Sequence, residues 1–220
     1  KTGRGAGLHV AIIGSGAAAF AAAIRAVEEG ARVTIIEASE FIGGTCVNVG
    51  CVPKKIMWNA ATLAHAIEDG PDYGHAVSGH RFDWAVLKRS RDQHVLDLNG
   101  HYERGLIKNG VTIIRGYARF AGGNSVKVQT DTYSAEHIVV AAGGHPIVPD
   151  LPGAQLGMTS DGFFELTEQP RKVAVVGGGY IAVELAGLLR ALGSDVTQVL
   201  RRAHFLNDFE AVLREQLMMQ

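Results

Sequence analysis

Cys46 and Cys51 are the only cysteines in the 220-residue chain, and they stand five apart in Gly43-Gly44-Thr45-Cys46-Val47-Asn48-Val49-Gly50-Cys51-Val52-Pro53-Lys54-Lys55. Thiols at this spacing can share a bond that opens and closes, or hold a metal, or simply fill space. A redox disulfide is the best reading. Single buried thiols often act as small hydrophobes, but two so close together in a cysteine-poor chain make poor packing filler. Zinc is a poorer reading, because no second Cys/Cys or His/His cluster with ligand spacing completes a set of four.

The elements that must position the pair follow from the pattern around it. An apolar-periodic run, Ile56, Met57, Ala60, Ala61, Leu63, Ala64 and Ile67, predicts a helix reaching about Ile67 with the cysteines in its opening turns. Disulfide closure requires Cα atoms roughly 4.4–6.8 Å apart, and residues five apart on a regular helix point to different sides. The first turns must therefore be distorted, and Gly50 is placed to allow it. A helix N-terminus favours thiolate over thiol, so the pair is expected to have lowered pKa values.

Composition narrows the class. With 47% apolar residues the chain can build a real core, as one large or two small domains. Twenty-one basic against 22 acidic residues leave no basic stripe for nucleic acid and no acidic tail. Lys1, Arg4 and the Ala-rich run from Val10 to Ile24 resemble a secretory signal, but Gly14-Ser15-Gly16 interrupts the run and makes it part of a folded unit. No stretch reaches the roughly 20 apolar residues of a membrane span. A redox-active rather than structural cysteine pair suits a reducing cytoplasm.

Taken in order, His9 to Ile13 predicts a buried strand. Gly14-Ser15-Gly16-Ala17-Ala18-Ala19 turns it into a helix reaching about Glu29, stopped by Gly30, and Arg32 to Ile36 predicts a second strand closed by Glu37. Strand, Gly-x-Gly-x-x-Ala, helix, strand and acid form the dinucleotide fingerprint in its required context. Glu37 is placed to accept a ribose hydroxyl, and Gly16 to let backbone N–H groups approach a pyrophosphate. After a turn-rich break at Gly70 to Gly74, an amphipathic helix from Asp83 to about Asn109 carries Trp84, Leu87, Val95, Leu98, Tyr102 and Leu106. Its His94 and His101 read as surface histidines. Val111 to Phe120, Ser125 to Thr130 and Tyr133 to Ala142 predict strands.

The chain then repeats at a constant offset of 163 residues. Lys172 to Val176 predicts a strand, Gly177-Gly178-Gly179-Tyr180-Ile181-Ala182 the turn, Val183 to Leu192 a helix, Gly193 its stop and Val196 to Leu200 the next strand. The position equivalent to Glu37 is Leu200, followed by Arg201 and Arg202. An arginine there pairs with a 2′-phosphate rather than a free 2′-hydroxyl. The first unit therefore suits FAD and the second NADPH.

As written, the two-cysteine stretch resembles the redox signature of the flavin-dependent pyridine nucleotide-disulfide reductases. With Lys54-Lys55-Ile56-Met57-Trp58 it is similar to the glutathione reductase branch of that family. The resemblance implies an α/β architecture: an FAD-binding Rossmann-like three-layer fold with an inserted β-meander over residues 1–150, then the beginning of an NADPH-binding domain over 151–220. It implies that Cys51 faces the flavin and that Cys46 attacks oxidised glutathione. Lys54 would lie near the flavin and pair with Glu184, and Tyr180 would gate the nicotinamide pocket. Thr45 and Ala118 match flavin contacts, Tyr102 a glutathione contact, and Gly178 and Ile181 NADPH contacts. Ala17, Ile24, Ala142 and Asn207 depart from the branch, and Ala17, Ile24 and the Gly-Ser-Gly turn are more similar to mercuric reductase. A truncated, non-catalytic nucleotide-binding module is the third reading. Members of the family are longer, so the resemblance implies an N-terminal portion of a homodimeric enzyme whose dimerisation domain and His–Glu acid/base pair lie beyond Gln220.

Overall fold

The computed structural model describes residues 7–219. They fall into two compact units, one within Lys1–Pro53 and Asp92–Gly157, the other within Lys54–Arg91 and Met158–Gln220. Lys1 and Arg4, which suggested a secretory signal, lie outside the described residues. Among the described residues no helix is long and apolar enough to cross a membrane.

In the first unit, β1 (His9–Ile13) and β2 (Arg32–Glu37) flank helix α1 (Ala17–Glu28). Valine and isoleucine fill both strands because each is covered on two faces, and Ile12, Val33 and Ile35 are fully buried. Ala19 and Ala23, also fully buried, let α1 lie close on the sheet. Gly30 stops the helix as expected, at φ +89°. Strands β3 (Thr112–Arg115) and β7 (His137–Val140) complete a parallel sheet ordered β3-β2-β1-β7. Short helix α2 (Gly44–Asn48) precedes helix α3 (Cys51–Asp69), and α4 (Trp84–Lys108) returns Tyr102 and Leu106 to the core beside α1. A three-stranded antiparallel meander, β4 (Ala118–Gly122), β5 (Ser125–Val128) and β6 (Asp131–Ser134), is inserted before β7.

Three predicted strands are divided or shortened in the structure. The run from Val111 to Phe120 divides at Gly116, which has φ +147° and lies where an added Cβ would come within 2.5 Å of Val128 Cγ1. The strand from Ser125 ends at Val128, because Gln129 takes a left-handed conformation, φ +54°, and turns the hairpin. The run from Tyr133 to Ala142 changes sheets at Ala135-Glu136. There Glu136 N–H donates to the His9 carbonyl while its carboxylate accepts the His9 N–H at 2.7 Å. The His9 N–H, with the residue's own backbone N–H, holds the Glu136 carboxyl below the usual carboxylate value.

The second unit holds most of α3 and the start of α4, with α5 (Ser160–Glu165), β8 (Lys172–Val176), α6 (Tyr180–Ala191), β9 (Asp195–Val199) and α7 (Ala211–Met219). Its βαβ element repeats the first residue for residue. His9 pairs with Arg32 in one register and Lys172 with Asp195 in the other. Gly14 N–H donates to Ile36 O at 2.8 Å, and Gly177 N–H to Val199 O at 3.0 Å. The correspondence runs further than the sequence pattern showed. Gly43 N–H donates to Ser15 O, and Leu206 N–H, at the same offset, donates to Gly178 O. Leu206 even shares the positive φ of Gly43, +51° against +109°. The core of this unit includes Arg91, buried and bonded to Met57 Sδ and the Phe164 carbonyl, and Trp84, whose indole N–H donates to Leu166 O.

Gly14 is the tightest point of the first turn: φ is +104°, and an added Cβ would stand 2.2 Å from the Ala141 carbonyl oxygen. Gly14→Ala is expected to lower unfolding free energy by about 3 kcal/mol or more through strain and collision. Gly179→Ala, with φ −79° and open space at its Cβ, should change it by less than about 1 kcal/mol. Urea titration followed by circular dichroism compares the two.

Candidate functional site

The helix carrying the cysteines is interrupted between them, as disulfide geometry requires. Helix α2 begins after Gly43, whose left-handed backbone leaves no room for a Cβ beside Val47. It ends where Val49 leaves the helical region at φ −139°, ψ 35°. Gly50 then passes so close to α2 that a Cβ would lie 2.8 Å from the Thr45 carbonyl. Cys51 opens α3, with its thiol close enough to that of Cys46 to perturb it. Both are free thiols, Cys46 half-buried and Cys51 exposed, so the expected disulfide is seen here as an unjoined pair.

The expected lowering of thiol pKa is overturned at Cys46, which is raised above the ordinary 9.0. Its hydrogen bond to Cys51 is the largest cause, followed by burial and by repulsion from charge on Cys51, against an opposing backbone hydrogen bond from Cys51. A single helical turn such as α2 carries too little dipole to offset a neighbouring thiol.

The first glycine turn forms a cradle at the start of α1. The helix is capped by Gly16 with no side-chain hydrogen bond and no acidic residue in its first turn, and Ala17 and Ala18 are exposed there. Its leading N–H groups therefore suit an anion. The close approach comes from Gly44, where a Cβ would stand 2.7 Å from Gly16 Cα. Ser15 is buried and its hydroxyl donates to Glu37 Oε2 at 2.6 Å, while Ser39 N–H donates to Oε1 at 2.7 Å. Ser15 thus offers a ligand only backbone and fixes the carboxylate, which keeps free lone pairs for a hydroxyl donor. These residues fit a dinucleotide. Thr45 is exposed on α2, and Ala118 is half-buried against Ile36, Val126 and Val128.

In the second unit, α6 begins at Gly179, again without a side-chain cap. Tyr180 and Ile181 are exposed on its first turn, and Glu184 follows one turn later on the same face. Lys54 Nζ donates to Glu184 Oε1 at 2.7 Å, the pairing the resemblance implied. Leu200, in place of the acid, packs over Gly178, where a Cβ would be 3.1 Å from its Cδ2. Arg201 is exposed and makes no ion pair among the described residues, so its guanidinium is open to a phosphate. Tyr102 is half-buried and packs edge-on against Phe20, with ring centroids 5.2 Å apart. His94 and His101 are exposed, as expected.

Two groups escaped the sequence reading. Arg91 falls on the apolar stripe of α4, four residues from both Leu87 and Val95, and that spacing was the available signal. Asn48 and Asn99, bonded to each other beside the cysteine turn, gave none.

Two glycine cradles and a paired-thiol turn define a nucleotide-dependent disulfide oxidoreductase class, and comparison with known proteins agrees. The chain belongs to the pyridine nucleotide-disulphide oxidoreductase family, whose model matches residues 8–220. It is 47% identical over 215 residues to a glutathione reductase of Schizosaccharomyces pombe, covering 94% of this chain and 46% of that protein. It is 44% identical over 220 residues to a glutathione reductase of Yarrowia lipolytica, covering 94% and 47% respectively. The chain spans about half the length of these curated relatives.

Because the folded Cys46 pKa is raised, its protonated form is favoured by folding. That contribution is complete below pH 9.0 and is lost as pH climbs through the folded value. The midpoint of Cys46 alkylation with pH should therefore lie above 9.0 and fall toward it in Cys51→Ala, as measured by peptide mass spectrometry. An unchanged midpoint would assign the shift to burial alone.

Proposed function

We propose that this chain carries the electron-transfer core of an FAD-dependent glutathione-disulfide reductase that consumes NADPH. The observation that supports it most is the adjacency of the Cys46 and Cys51 thiols on a broken helix whose first residue, Gly44, lies against the Gly16 cradle. In this reading residues 1–150 hold FAD and 151–220 begin the NADPH domain. Gly14, Ser15, Gly16, Ala17 and Ala18 hold the pyrophosphate of FAD, Glu37 its ribose, and Thr45, Lys54 and Ala118 the flavin. Gly177, Gly178, Gly179, Tyr180, Ile181, Glu184 and Arg201 take NADPH, with Arg201 on the 2′-phosphate. Bound together, the two cofactors supply the pair of electrons that returns the Cys46–Cys51 disulfide to two thiols.

The remaining chemistry belongs to the cysteines. Deprotonated Cys46 attacks one sulfur of oxidised glutathione, forming a mixed disulfide and expelling one glutathione thiolate. Cys51 then attacks the Cys46 sulfur, closes the internal disulfide and expels the second. The two thiol protons go to the two leaving thiolates, so dithiol plus disulfide gives disulfide plus two thiols. A raised Cys46 pKa means that attack needs a base, which the resemblance assigns to a His–Glu pair beyond these residues. Tyr102 is the proposed glutathione contact, and the whole enzyme is proposed to be a cytoplasmic homodimer.

In the FAD-loaded protein, Cys46→Ser should reduce NADPH-dependent turnover of oxidised glutathione by about three orders of magnitude or more while flavin absorbance is retained. Turnover at the parent rate would remove Cys46 as nucleophile, and turnover with Hg²⁺ in place of glutathione would move the substrate class. Arg201→Leu should raise KM for NADPH about tenfold or more and leave KM for NADH unchanged, as expected for loss of one charge-assisted hydrogen bond. Equal rises for the two nucleotides would exclude a 2′-phosphate contact.

A further inference from the structure

Between the two cysteines stands Asn48, the last residue of α2, and every hydrogen of its amide is used. Nδ2 donates to Gly44 O at 2.9 Å and to Ile42 O at 3.3 Å, tying the end of α2 back to its beginning across the Gly43 turn. Cys46 lies between the tied points. On the other side, Asn48 Oδ1 accepts from Asn99 Nδ2 at 2.9 Å. Asn99 sits on α4 and spends its second hydrogen on Val95 O at 2.8 Å. Both amide orientations follow from the carbonyls they face, since a flipped amide would set oxygen against oxygen.

Asn99 is 7% exposed, and its Oδ1 is buried with no hydrogen-bond partner. An orphan acceptor in the interior is unfavourable. Leucine, of similar size, would meet the packing need without one. The amide's advantage over leucine is its donors, one of them aimed at Asn48. Three residues further along α4, and so on a neighbouring face, is Tyr102.

We propose that Asn48 and Asn99 form a positioning clamp that holds the Cys46–Cys51 turn in the geometry of disulfide closure and thereby sets the thiol–disulfide equilibrium of the pair. Neither amide touches a reacting sulfur. They act through α2: with the clamp made, Cys46 is held near the Cys51 thiol, and with it broken, α2 samples positions from which the bond cannot form. This inference rests on the redox role proposed for the pair.

The test is the equilibrium constant for Cys46–Cys51 closure in mixtures of oxidised and reduced dithiothreitol, which requires no cofactor. Asn99→Leu should lower the constant about fivefold, the effect of one lost hydrogen bond on a preorganised turn. In an Asn48→Ala background the same change should lower it by less than about twofold, because the partner is already gone. Asn109→Ala, which removes a comparable bond to Gly105 O at the far end of α4, should leave it unchanged. Circular dichroism checks folding, and Asn99→Ala replaces Asn99→Leu if the latter does not fold. A parental constant in both Asn99 variants, or the full fivefold loss in the Asn48→Ala background, would overturn the clamp while leaving the redox role intact. If the parent pair does not close at all, the redox role itself fails and the clamp with it.

Discussion

Gly50 passes the Thr45 carbonyl at a distance that no side chain permits, and the placement of the sulfurs depends on that approach. Without it α2 and α3 would be one continuous helix with thiols on different sides. With it the chain steps sideways for two residues, Val49 and Gly50, and Cys51 comes beside Cys46. The surrounding order serves this step. Gly43 and Gly44 start α2 hard against Val47 and Gly16, Asn48 ties its end, and Asn99 holds it to α4. A glycine turn and a thiol pair thus share one short stretch of backbone, with glycine wherever side chains would keep them apart.

The two βαβ elements show how little must change for one scaffold to present different chemistry at the same place. Strand register, helix limits and turn hydrogen bonds are preserved at the offset of 163 residues. The chemistry differs at the strand end. Glu37 is a carboxylate pinned by Ser15 and the Ser39 backbone, so its orientation is set before any ligand arrives. Leu200 is an apolar cover over the turn, and the charge moves one residue on to an open guanidinium. An acceptor in the first unit has become a donor in the second.

These units were legible because their causes are local: valine and isoleucine for buried strands, glycine for positive φ, alanine for close helix packing. The helix break between the cysteines was legible for the same reason, since disulfide geometry and a glycine five residues after Thr45 demand it. What was missed has causes elsewhere in the chain. Gly116 turns because Val128 occupies the space a strand residue would need, and Gln129 turns a hairpin without the glycine or asparagine that signals one. Asn99 looks like surface in an amphipathic helix, and its partner is 51 residues away. The direction of the Cys46 shift depends on a contact to Cys51 that outweighs the helix end inferred from pattern. Arg91 likewise joins Met57 and Phe164, binding together helical segments that sequence order separates.

The β8–β9 sheet has one further consequence. In the first unit the corresponding strands are flanked by β7 and β3, whereas among the described residues β8 and β9 pair only with each other. Val176 is 69% exposed and Val199 48% exposed, while Ile36, the counterpart of Val199, is 1% exposed. Unpaired N–H and C=O groups along two valine-rich edges form a template for strands of other molecules. A strand laid along either edge would pair those groups, as β7 and β3 do for β1 and β2.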